Sequence, residues 1–299
     1  MSILVDKKTR VLIQGITGSE GSRAARDMIA YGTNVLAGVT PGKDGQEVEG
    51  IRVFNSVAKA VEIHPEINFS FIAVPAPFVL DAALEALHGG IKTIDILTEG
   101  VPVHDVAQMI ALARRTGGRI IGPSSIGIIS PGQNAKVGSI GSGDVAGRVF
   151  SPGPVGVISK SGGMTAEISR ILTDSGLGQS SAIGIGGDIL IGSDFLDLAL
   201  LFEKDPETRA IVIFGEVGGV YEEKLAEGIT NGLVTKPVIA LIAGDFGQKL
   251  PAGATLGHAG ALVSKGRGSA KSKIQALKQA GALIAKTPED IPKLVKQCI

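Results

Sequence analysis

A histidine set among very small residues is the feature of this sequence most directly suited to chemistry. Four histidines occur in 299 residues, and only His258, in Gly257-His258-Ala259-Gly260-Ala261, is flanked on both sides by residues too small to bury it. An imidazole in such a bare setting can reach a phosphate as a nucleophile. From the residues alone, an ordinary histidine in a turn is an equally good interpretation.

Glycine-rich turns upstream offer the complementary chemistry. Residues 15–21 and the run Ser161-Gly162-Gly163 each follow an apolar strand pattern and open a helical pattern. The first N–H groups of a helix lack intrahelical partners, so such turns bind anions. They also serve ordinary strand-to-helix packing, and Ser161 is a good helix cap. Together with His258, the turns predict phosphoryl transfer beside a phosphate-bearing cofactor.

Three charged side chains follow other predicted strands. Lys43 stands where dinucleotide-binding turns usually have an acid, which favours a phosphorylated ribose, as in coenzyme A, although a solvated loop lysine is equally good. Glu99 can accept hydrogen bonds from an adenine or pantetheine group, but its spacing favours a helix cap or first-turn acid. Glu216, in a Gly-Glu-Val-Gly-Gly turn, can orient an imidazole, unless it is simply solvated.

The elements that must position these residues alternate between strand and helix, which predicts βαβ units and parallel sheets. In the first half the predicted first to fifth strands are 11–13, 35–39, 69–74, 93–97 and 119–121, with helices over 19–31, 78–88 and 104–115. In the second half the predicted strands are 155–158, 181–185, 211–214 and 238–243, with helices over 162–174, 220–229 and 270–280. All the turns above then lie at the carboxyl edge of a sheet, where ligands bind.

The fold class predicted from this alternation is α/β with two domains. A chain of 299 residues exceeds the usual size of a single core. We predict a Rossmann-like domain over residues 1–130 and a flavodoxin-like, doubly wound domain over residues 131–299. Residues 131–153 are poor in pattern and rich in Gly, Ser and Pro, so we expect them to connect the two domains.

Composition excludes several classes of protein. A net charge of zero with no single-sign run argues against nucleic-acid binding. No apolar stretch approaches the roughly 20 residues of a membrane span, and no His/Cys spacing indicates a metal site. The lone Cys298 excludes an internal disulfide. We therefore expect a protein of the cytoplasm, or of the mitochondrial matrix after removal of a transit peptide.

The chain resembles the α subunits of succinyl-CoA synthetase (succinate–CoA ligase), in the superfamily of NDP-forming acyl-CoA synthetases and ATP-citrate lyase, almost from end to end. The matching segments are residues 2–7, 14–18, 38–43, 74–78, 98–100, 184–188, 202–206, 215–219 and 257–261. The resemblance implies an N-terminal CoA-binding domain and a C-terminal ligase domain. It also implies an acid–thiol ligase that works through a phosphohistidine and an acyl phosphate.

The same resemblance assigns roles to residues. His258 matches the phosphorylated histidine, Glu216 its hydrogen-bonding partner, and Ser161, Gly162 and Gly163 the turn that cradles the phosphate. The implied CoA contacts are Thr17, Gly18, Ser19, Glu20, Lys43, Leu97, Thr98 and Glu99. No triphosphate-binding loop is recognisable in this sequence. The resemblance accordingly implies a nucleotide-grasping β subunit that holds ATP or GTP with Mg²⁺, in one αβ pair or a dimer of pairs.

Two departures bear on the acid that is used. Ala166 stands where the family has a tyrosine that lines the substrate site, and Ser124-Ser125-Ile126 replaces the usual Asn-Cys/Thr-Pro. The run Ser-Gly-Gly-Met is closer to ATP-citrate lyase and citryl-CoA synthetase. We expect a ligase for succinate, with citrate or malate as a bulkier alternative and a non-catalytic CoA-binding protein as a further one. Lys43 and the missing acid disfavour an NAD-dependent dehydrogenase.

Overall fold

The computed structural model describes residues 2–244 and 268–299, which form two seven-stranded sheets with helices on their faces. The N-terminal sheet contains β1 (Arg10–Gln14), β2 (Asn34–Val39), β3 (Glu47–Val48), β4 (Ile51–Phe54), β5 (Phe69–Ile72), β6 (Thr93–Ile96) and β7 (Arg119–Ile121). Its helices are α1 (Ser19–Tyr31), α2 (Val57–Ile63), α3 (Val79–His88) and α4 (Val103–Thr116).

The C-terminal sheet begins with two short strands, continues with four longer ones and ends with a short one. It contains β8 (Gly127–Ser130), β9 (Ala135–Val137), β10 (Pro152–Ser159), β11 (Gln179–Gly184), β12 (Ala210–Gly215), β13 (Val238–Ile242) and β14 (Leu283–Ala285). Its helices are α5 (Ala146–Val149), α6 (Gly162–Asp174), α7 (Phe195–Lys204), α8 (Tyr221–Thr230), α9 (Ala270–Gln279) and α10 (Ile291–Lys296). None of the described helices is both long and apolar enough to cross a bilayer.

The strand order of each sheet confirms the predicted fold class. The N-terminal sheet runs β3-β4-β2-β1-β5-β6-β7, and after the antiparallel β3–β4 pair every neighbour is parallel. This is the Rossmann order, and it reverses between β1 and β5. The C-terminal sheet runs β14-β13-β12-β10-β11-β8-β9. Its five parallel strands have the flavodoxin-like order, which reverses between β10 and β12.

The strands that position these reversals are buried on both faces. Val11, Leu12 and Ile13 of β1 are fully buried, as are Ile211 and Ile213 of β12. A parallel strand that is covered by helices on both faces reads as a continuous apolar run. This pattern is why the sequence predicted the central strands correctly, while the glycine-rich turns before α1 and α6 gave the correct starts of these helices.

The predicted count of N-terminal strands is wrong. Between β2 and β5 the structure adds β3, β4 and α2, so the strand that starts at Phe69 is the fifth rather than the third. That strand also ends at Ile72 instead of Val74. The missed strands are two and four residues long and include exposed residues. Their apolar periodicity is therefore too short to be recognised.

The segment expected to connect the domains is also different from the prediction. Residues 127–137 form β8 and β9, which pair antiparallel with each other, and β8 pairs with β11. The change from one sheet to the other therefore falls before Gly127, while the domain limits at residues 130 and 131 stay a prediction. The glycines in this segment allow close strand approach, since a Cβ on Gly127 would lie 2.0 Å from the Val137 carbonyl oxygen.

Strand β9 joins the two domains through α1. Thr33, just after α1, donates its hydroxyl to the Lys136 carbonyl at 2.7 Å and accepts the Lys136 N–H at 3.0 Å. The Lys136 side chain is buried and donates to the Ile140 carbonyl at 2.8 Å. The edge of the C-terminal sheet is thus covered by the N-terminal domain.

Candidate functional site

A cavity opens where the strand order of the N-terminal sheet reverses. It has a volume of about 740 Å³ and is bounded by the turns that follow β1, β2 and β5 and by one face of α3. The residues of those turns that line it include Gly15, Thr17, Gly18, Thr40, Val74, Pro75 and Phe78. Phe78 is 60% exposed, so an aromatic face is available to a ligand. We call this the N-terminal crevice.

The turn after β1 has the backbone of an anion-binding site. Gly15 has φ +82°, and a Cβ there would lie 2.4 Å from the Ala73 carbonyl oxygen, so only glycine fits. Gly18 is the N-cap of α1 and has no side chain to satisfy the first N–H groups of that helix. These N–H groups can bind the phosphate of a ligand in the crevice. Ser19 and Glu20 follow on the exposed first turn, where Glu20 pairs with Arg23.

Lys43 is held near the same crevice by a short series of hydrogen bonds. Thr17 Oγ1 lies 3.2 Å from Thr40 Oγ1, and the Lys43 N–H donates to the Thr40 carbonyl at 3.1 Å. The Lys43 side chain is exposed. Its turn is therefore anchored to the turn after β1, while its ammonium stays in solvent.

The loop after β6 touches the wall of the crevice. Thr98 donates its hydroxyl to the Val74 carbonyl at 2.6 Å. Leu97 is half-buried and Glu99 exposed. Glu99 does not cap a helix, because α4 begins at Val103 with Pro102 as its N-cap. Of the predicted CoA contacts, Thr17 and Gly18 line the cavity and the others lie on or beside the surrounding turns.

The second reversal of strand order, between β10 and β12, brings the turns after these two strands together at the carboxyl edge of the C-terminal sheet, and we call this place the C-terminal crevice. On one side, Ser161 caps α6 by accepting the Met164 N–H at 3.4 Å. Gly162 packs on Ile126, since a Cβ there would lie 2.6 Å from Ile126 Cγ2. Among the described residues, nothing lies within 4 Å of a Cβ built on Gly163. The start of α6 is therefore covered by Ile126 on one side, no described residue covers it at Gly163, and the small, half-buried Ala166 lies one turn later.

The other side of the C-terminal crevice carries Glu216. This residue directly follows β12 and is 9% exposed, so it is not a solvated turn glutamate. Its Oε1 lies 3.8 Å from Nζ of Lys160, whose side chain is 1% exposed. Because Lys160 and Ser161 directly follow β10, the carboxylate and the start of α6 face one another across adjacent strands.

A second buried pair supports the turn that carries Glu216. Lys273 and Glu222 form an ion pair in which both side chains are fully buried. Lys273 Nζ also donates to the carbonyl oxygens of Glu216 at 2.8 Å and Gly218 at 2.6 Å. Burial lowers the pKa of Lys273, while the charge of Glu222 opposes that shift. The turn is thus fixed by charged groups that have no access to water.

Ser125 links the two crevices. Its Oγ lies 2.5 Å from Asp95 Oδ1, at the end of β6, and 2.7 Å from the Gly184 carbonyl oxygen, at the end of β11. Burial raises the pKa of Asp95 to about 7. A protonated Asp95 can donate to Ser125, which then donates to Gly184, while the second carboxyl oxygen, Oδ2, is buried without a hydrogen-bond partner among the described residues. Nearby, Asp188 accepts the Gly100 N–H at 3.1 Å.

The predicted nucleophile, His258, lies outside the residues that the structure describes. Its role stays a prediction.

Sequence reasoning missed several residues of both crevices. The run from Val74 to Phe78 was recognised at a strand end and as a segment shared with the family, but no role was assigned to Phe78. Lys160 lies between two turn serines, where a charged residue stands out. Lys273 reads as a surface lysine of α9, and only the fold shows that it is buried.

Comparison with known proteins agrees with both crevices. Residues 6–100 match the family described as CoA binding domain, and residues 158–283 match the CoA-ligase family. The chain is 46% identical over 299 residues, 100% of both chains, to "Succinate--CoA ligase [ADP-forming] subunit alpha 2" of Archaeoglobus fulgidus. It is 42% identical to a subunit of ADP-forming sulfoacetate-CoA ligase of Acholeplasma sp, over 99% of this chain and 98% of that one.

A solved structure shares the whole architecture. ATP citrate lyase from Methanothrix soehngenii, in complex with citrate and coenzyme A, superposes with a TM-score of 0.91 and 26% identity. The match covers 99% of this chain and 50% of that chain. Several curated relatives are 45 to 46% identical to this chain over 97 to 100% of its length. The chain therefore belongs to the family of the succinate–CoA ligase alpha subunits.

Proposed function

We propose that this chain is the CoA-binding and transiently phosphorylated α subunit of a heteromeric, ADP-forming succinate–CoA ligase. The observation that carries the proposal is the arrangement of the C-terminal crevice, where a buried carboxylate faces a helix N-terminus across adjacent strands. A carboxylate in that place can orient an imidazole, and a helix N-terminus can hold a phosphate. The 46% identity to a succinate–CoA ligase α subunit, along the full length of both chains, supports the same proposal.

In the proposed reaction His258 takes the γ-phosphoryl group of a nucleotide. Glu216 accepts the N–H of one ring nitrogen, which leaves the other nitrogen as the nucleophile. The N–P bond forms as the bond to the nucleotide breaks, and the nucleoside diphosphate leaves. Ser161, Gly162 and Gly163 place the N-terminus of α6 against the phosphoryl oxygens, whose charge it stabilises without rearrangement.

The phosphoryl group then passes from His258 to the carboxylate of the acid. A P–O bond forms and the N–P bond breaks, so the imidazole is regenerated and the acid is activated for acyl transfer. Bound CoA supplies the thiol that takes the acyl group, which releases inorganic phosphate. The residues proposed to hold CoA are Thr17, Gly18, Ser19, Glu20, Lys43, Leu97, Thr98 and Glu99. The Gly15 turn, the open N-terminal crevice and the exposed Phe78 suit a long ligand with phosphate groups.

The nucleotide would be held by a β subunit. The Archaeoglobus relative is an α subunit of an ADP-forming enzyme, which favours ATP over GTP, and Mg²⁺ would accompany the nucleotide on the β subunit. We propose an assembly of αβ pairs, in a reducing compartment such as the cytoplasm, where the lone Cys298 stays free.

A larger or more strongly charged acid is the second candidate. The small side chain of Ala166, and the fact that no described residue lies within 4 Å of a Cβ built on Gly163, favour this alternative over succinate. The Acholeplasma relative is a subunit of a sulfoacetate-CoA ligase, and the Methanothrix structure contains citrate. Steady-state rates with succinate, malate, citrate and sulfoacetate, for the native enzyme and for Ala166→Tyr, distinguish the acids. If the C-terminal crevice accepts a larger acid, the tyrosine lowers the rate with citrate or sulfoacetate more than the rate with succinate.

The main experiment reconstitutes the chain with its β subunit and adds γ-labelled ATP. We expect acid-labile label on this chain that succinate and CoA together remove. His258→Asn should carry no label and still bind CoA, because the N-terminal crevice lies in the other domain. A His258→Asn enzyme with undiminished turnover refutes the proposed role of His258.

A further inference from the structure

Lys160 is a buried charged residue of the C-terminal crevice to which the proposed mechanism assigns no role. It lies between Ser159, the last residue of β10, and Ser161, the cap of α6. Its side chain is 1% exposed. An ammonium that has left water so completely is strongly unfavourable without an opposite charge beside it. A buried lysine at this position therefore needs partners that stabilise its charge.

The backbone of Lys160 is tied to the strand that leads to Glu216. Its N–H donates to the Phe214 carbonyl at 3.1 Å, and Phe214 lies two residues before Glu216. The residue thus connects the start of α6 to the Glu216 turn through its main chain as well as its side chain.

The side chain of Lys160 is fixed between a carboxylate and an aromatic ring. Nζ lies 3.8 Å from Glu216 Oε1 and 5.7 Å from the centre of the Tyr221 ring. A cation over a ring face is attracted to it, and the ring also keeps water away. The Tyr221 hydroxyl in turn lies 3.4 Å from both the Ile191 nitrogen and the Ile189 oxygen. The ring that covers the ammonium is therefore itself anchored.

The distance between Lys160 and Glu216 decides what the lysine can do. At 3.8 Å the two charges attract each other more than exposed charges would, because both side chains are largely shielded from solvent, but the separation exceeds a hydrogen bond. The ammonium can orient the carboxylate without placing a short N–H bond on Oε1. Lys273 holds the main chain of the same turn at the Glu216 and Gly218 carbonyls. One buried lysine thus fixes the backbone of Glu216 and another its side chain.

We infer that Lys160 is the positioning residue for Glu216 in the phosphorylation of His258, an inference that rests on the proposed function. The charge of Lys160 orients the Glu216 carboxylate towards the crevice. Because Lys160 directly precedes Ser161, it also fixes the position of that carboxylate relative to the start of α6. The lysine itself touches neither the nucleotide nor the acid. Its effect is on the rate at which the imidazole takes the phosphoryl group.

The test measures single-turnover labelling of the complete α–β complex with γ-labelled ATP. Lys160→Met should slow labelling by about 10- to 100-fold, the size of effect typical of residues that orient a reacting group through another. Lys160→Arg, which keeps the charge, should recover most of the rate. The affinity for CoA should not change in either variant, because CoA binds in the other domain.

A double-mutant cycle separates positioning from packing. In a Glu216→Gln background, Lys160→Met should change the labelling rate by less than about twofold, since no carboxylate remains to be aimed. Equal slowing in both backgrounds, or none in the native background, overturns the inference. If Lys160→Met does not assemble, Lys160→Gln takes its place under the same criteria.

Lys224→Met is the matched control. Lys224 also forms an ion pair, with Asp194 at 2.6 Å, but its side chain is 47% exposed and lies on α8. The α–β complex that carries Lys224→Met should be labelled at the native rate. Absence of label on both the native chain and this control overturns the proposed function itself, whereas a labelled native chain with a fully active Lys160→Met overturns only the role of Lys160.

Discussion

The two crevices occupy equivalent places in their sheets and are built in opposite ways. The N-terminal crevice is an open space of about 740 Å³ whose shape comes from backbone turns, and Lys43 near it is exposed. The C-terminal crevice is built around the ion pairs Lys160–Glu216 and Lys273–Glu222, whose side chains are 0 to 12% exposed. A large ligand can be recognised by shape and backbone N–H groups, whereas transfer of a small charged group requires fixed charges in a dry site.

The largest effect should come from breaking the buried charges of the C-terminal crevice. Lys273→Met leaves Glu222 buried without its cation, which should lower the free energy of unfolding by roughly 3 to 5 kcal/mol. Urea denaturation followed by circular dichroism measures the loss. Lys273→Met combined with Glu222→Gln should recover part of it. A loss below about 1 kcal/mol would mean that the dry, charged description of this crevice is wrong.

A smaller effect should come from Asp95, which lies between the crevices. Burial raises the pKa of this carboxyl to about 7 in the folded chain, above its value of roughly 3.9 in the unfolded chain. The folded state therefore binds the proton on Asp95 more tightly than the unfolded state does. The stability that this proton contributes is lost as the pH rises through 7. Between pH 5 and pH 8.5 the loss should be roughly 2 to 3 kcal/mol.

Asp95→Asn, which cannot ionise, is the variant that isolates this effect. Its free energy of unfolding should fall less than that of the native chain as the pH rises over the same interval. Chemical denaturation at both pH values measures the difference. Parallel pH dependence in the two proteins contradicts the assignment to Asp95.

Lys43→Ala tests how far the N-terminal crevice depends on charge. We expect the affinity for CoA to fall by about three- to tenfold, and by less at high salt, because the side chain is exposed and screened. Dephospho-CoA, which lacks the 3′-phosphate, should bind both proteins equally in isothermal titration calorimetry. Lys92→Ala, at the opposite ends of the strands, is the control. A loss of the same size with dephospho-CoA argues against the phosphate contact.

The smallest effect should come from the loop between the crevices. Ser124 has φ +62°, a conformation in which asparagine is much more common than serine. Ser124→Asn should raise the free energy of unfolding by about 0.5 kcal/mol with no change in CoA affinity. The midpoint of urea denaturation measures it. A lower midpoint would show that packing of this half-buried side chain outweighs its backbone preference.

Sequence patterns predicted the central strands of both sheets because those strands are apolar on both faces. They also located Gly18, Ser161 and Glu216, since strand ends in parallel sheets meet at one edge. The short β3, β4, β8, β9 and β14 were missed, because two to four residues are too few to establish a period.

Long-range partners could not be predicted. Helix α7 went unrecognised because its apolar residues are nearly continuous, although the reciprocal Asp194–Asp197 cap marks its start. The burial of Lys160 and Lys273 depends on β12 and α8 packing over them, which no local pattern encodes. The link from Asp95 through Ser125 to Gly184 joins residues 30 and 59 positions apart.

The hairpin of β8 and β9 limits how this polypeptide can be divided. A cut after residue 130 would leave β8 on the N-terminal piece, separate it from both of its partners, β9 and β11, and expose the edge of β11 that β8 covers. Exposed strand edges recruit other chains and cause aggregation. Separate expression of the halves, or grafting of the C-terminal half onto another protein, should therefore retain everything from Gly127 onward in one piece.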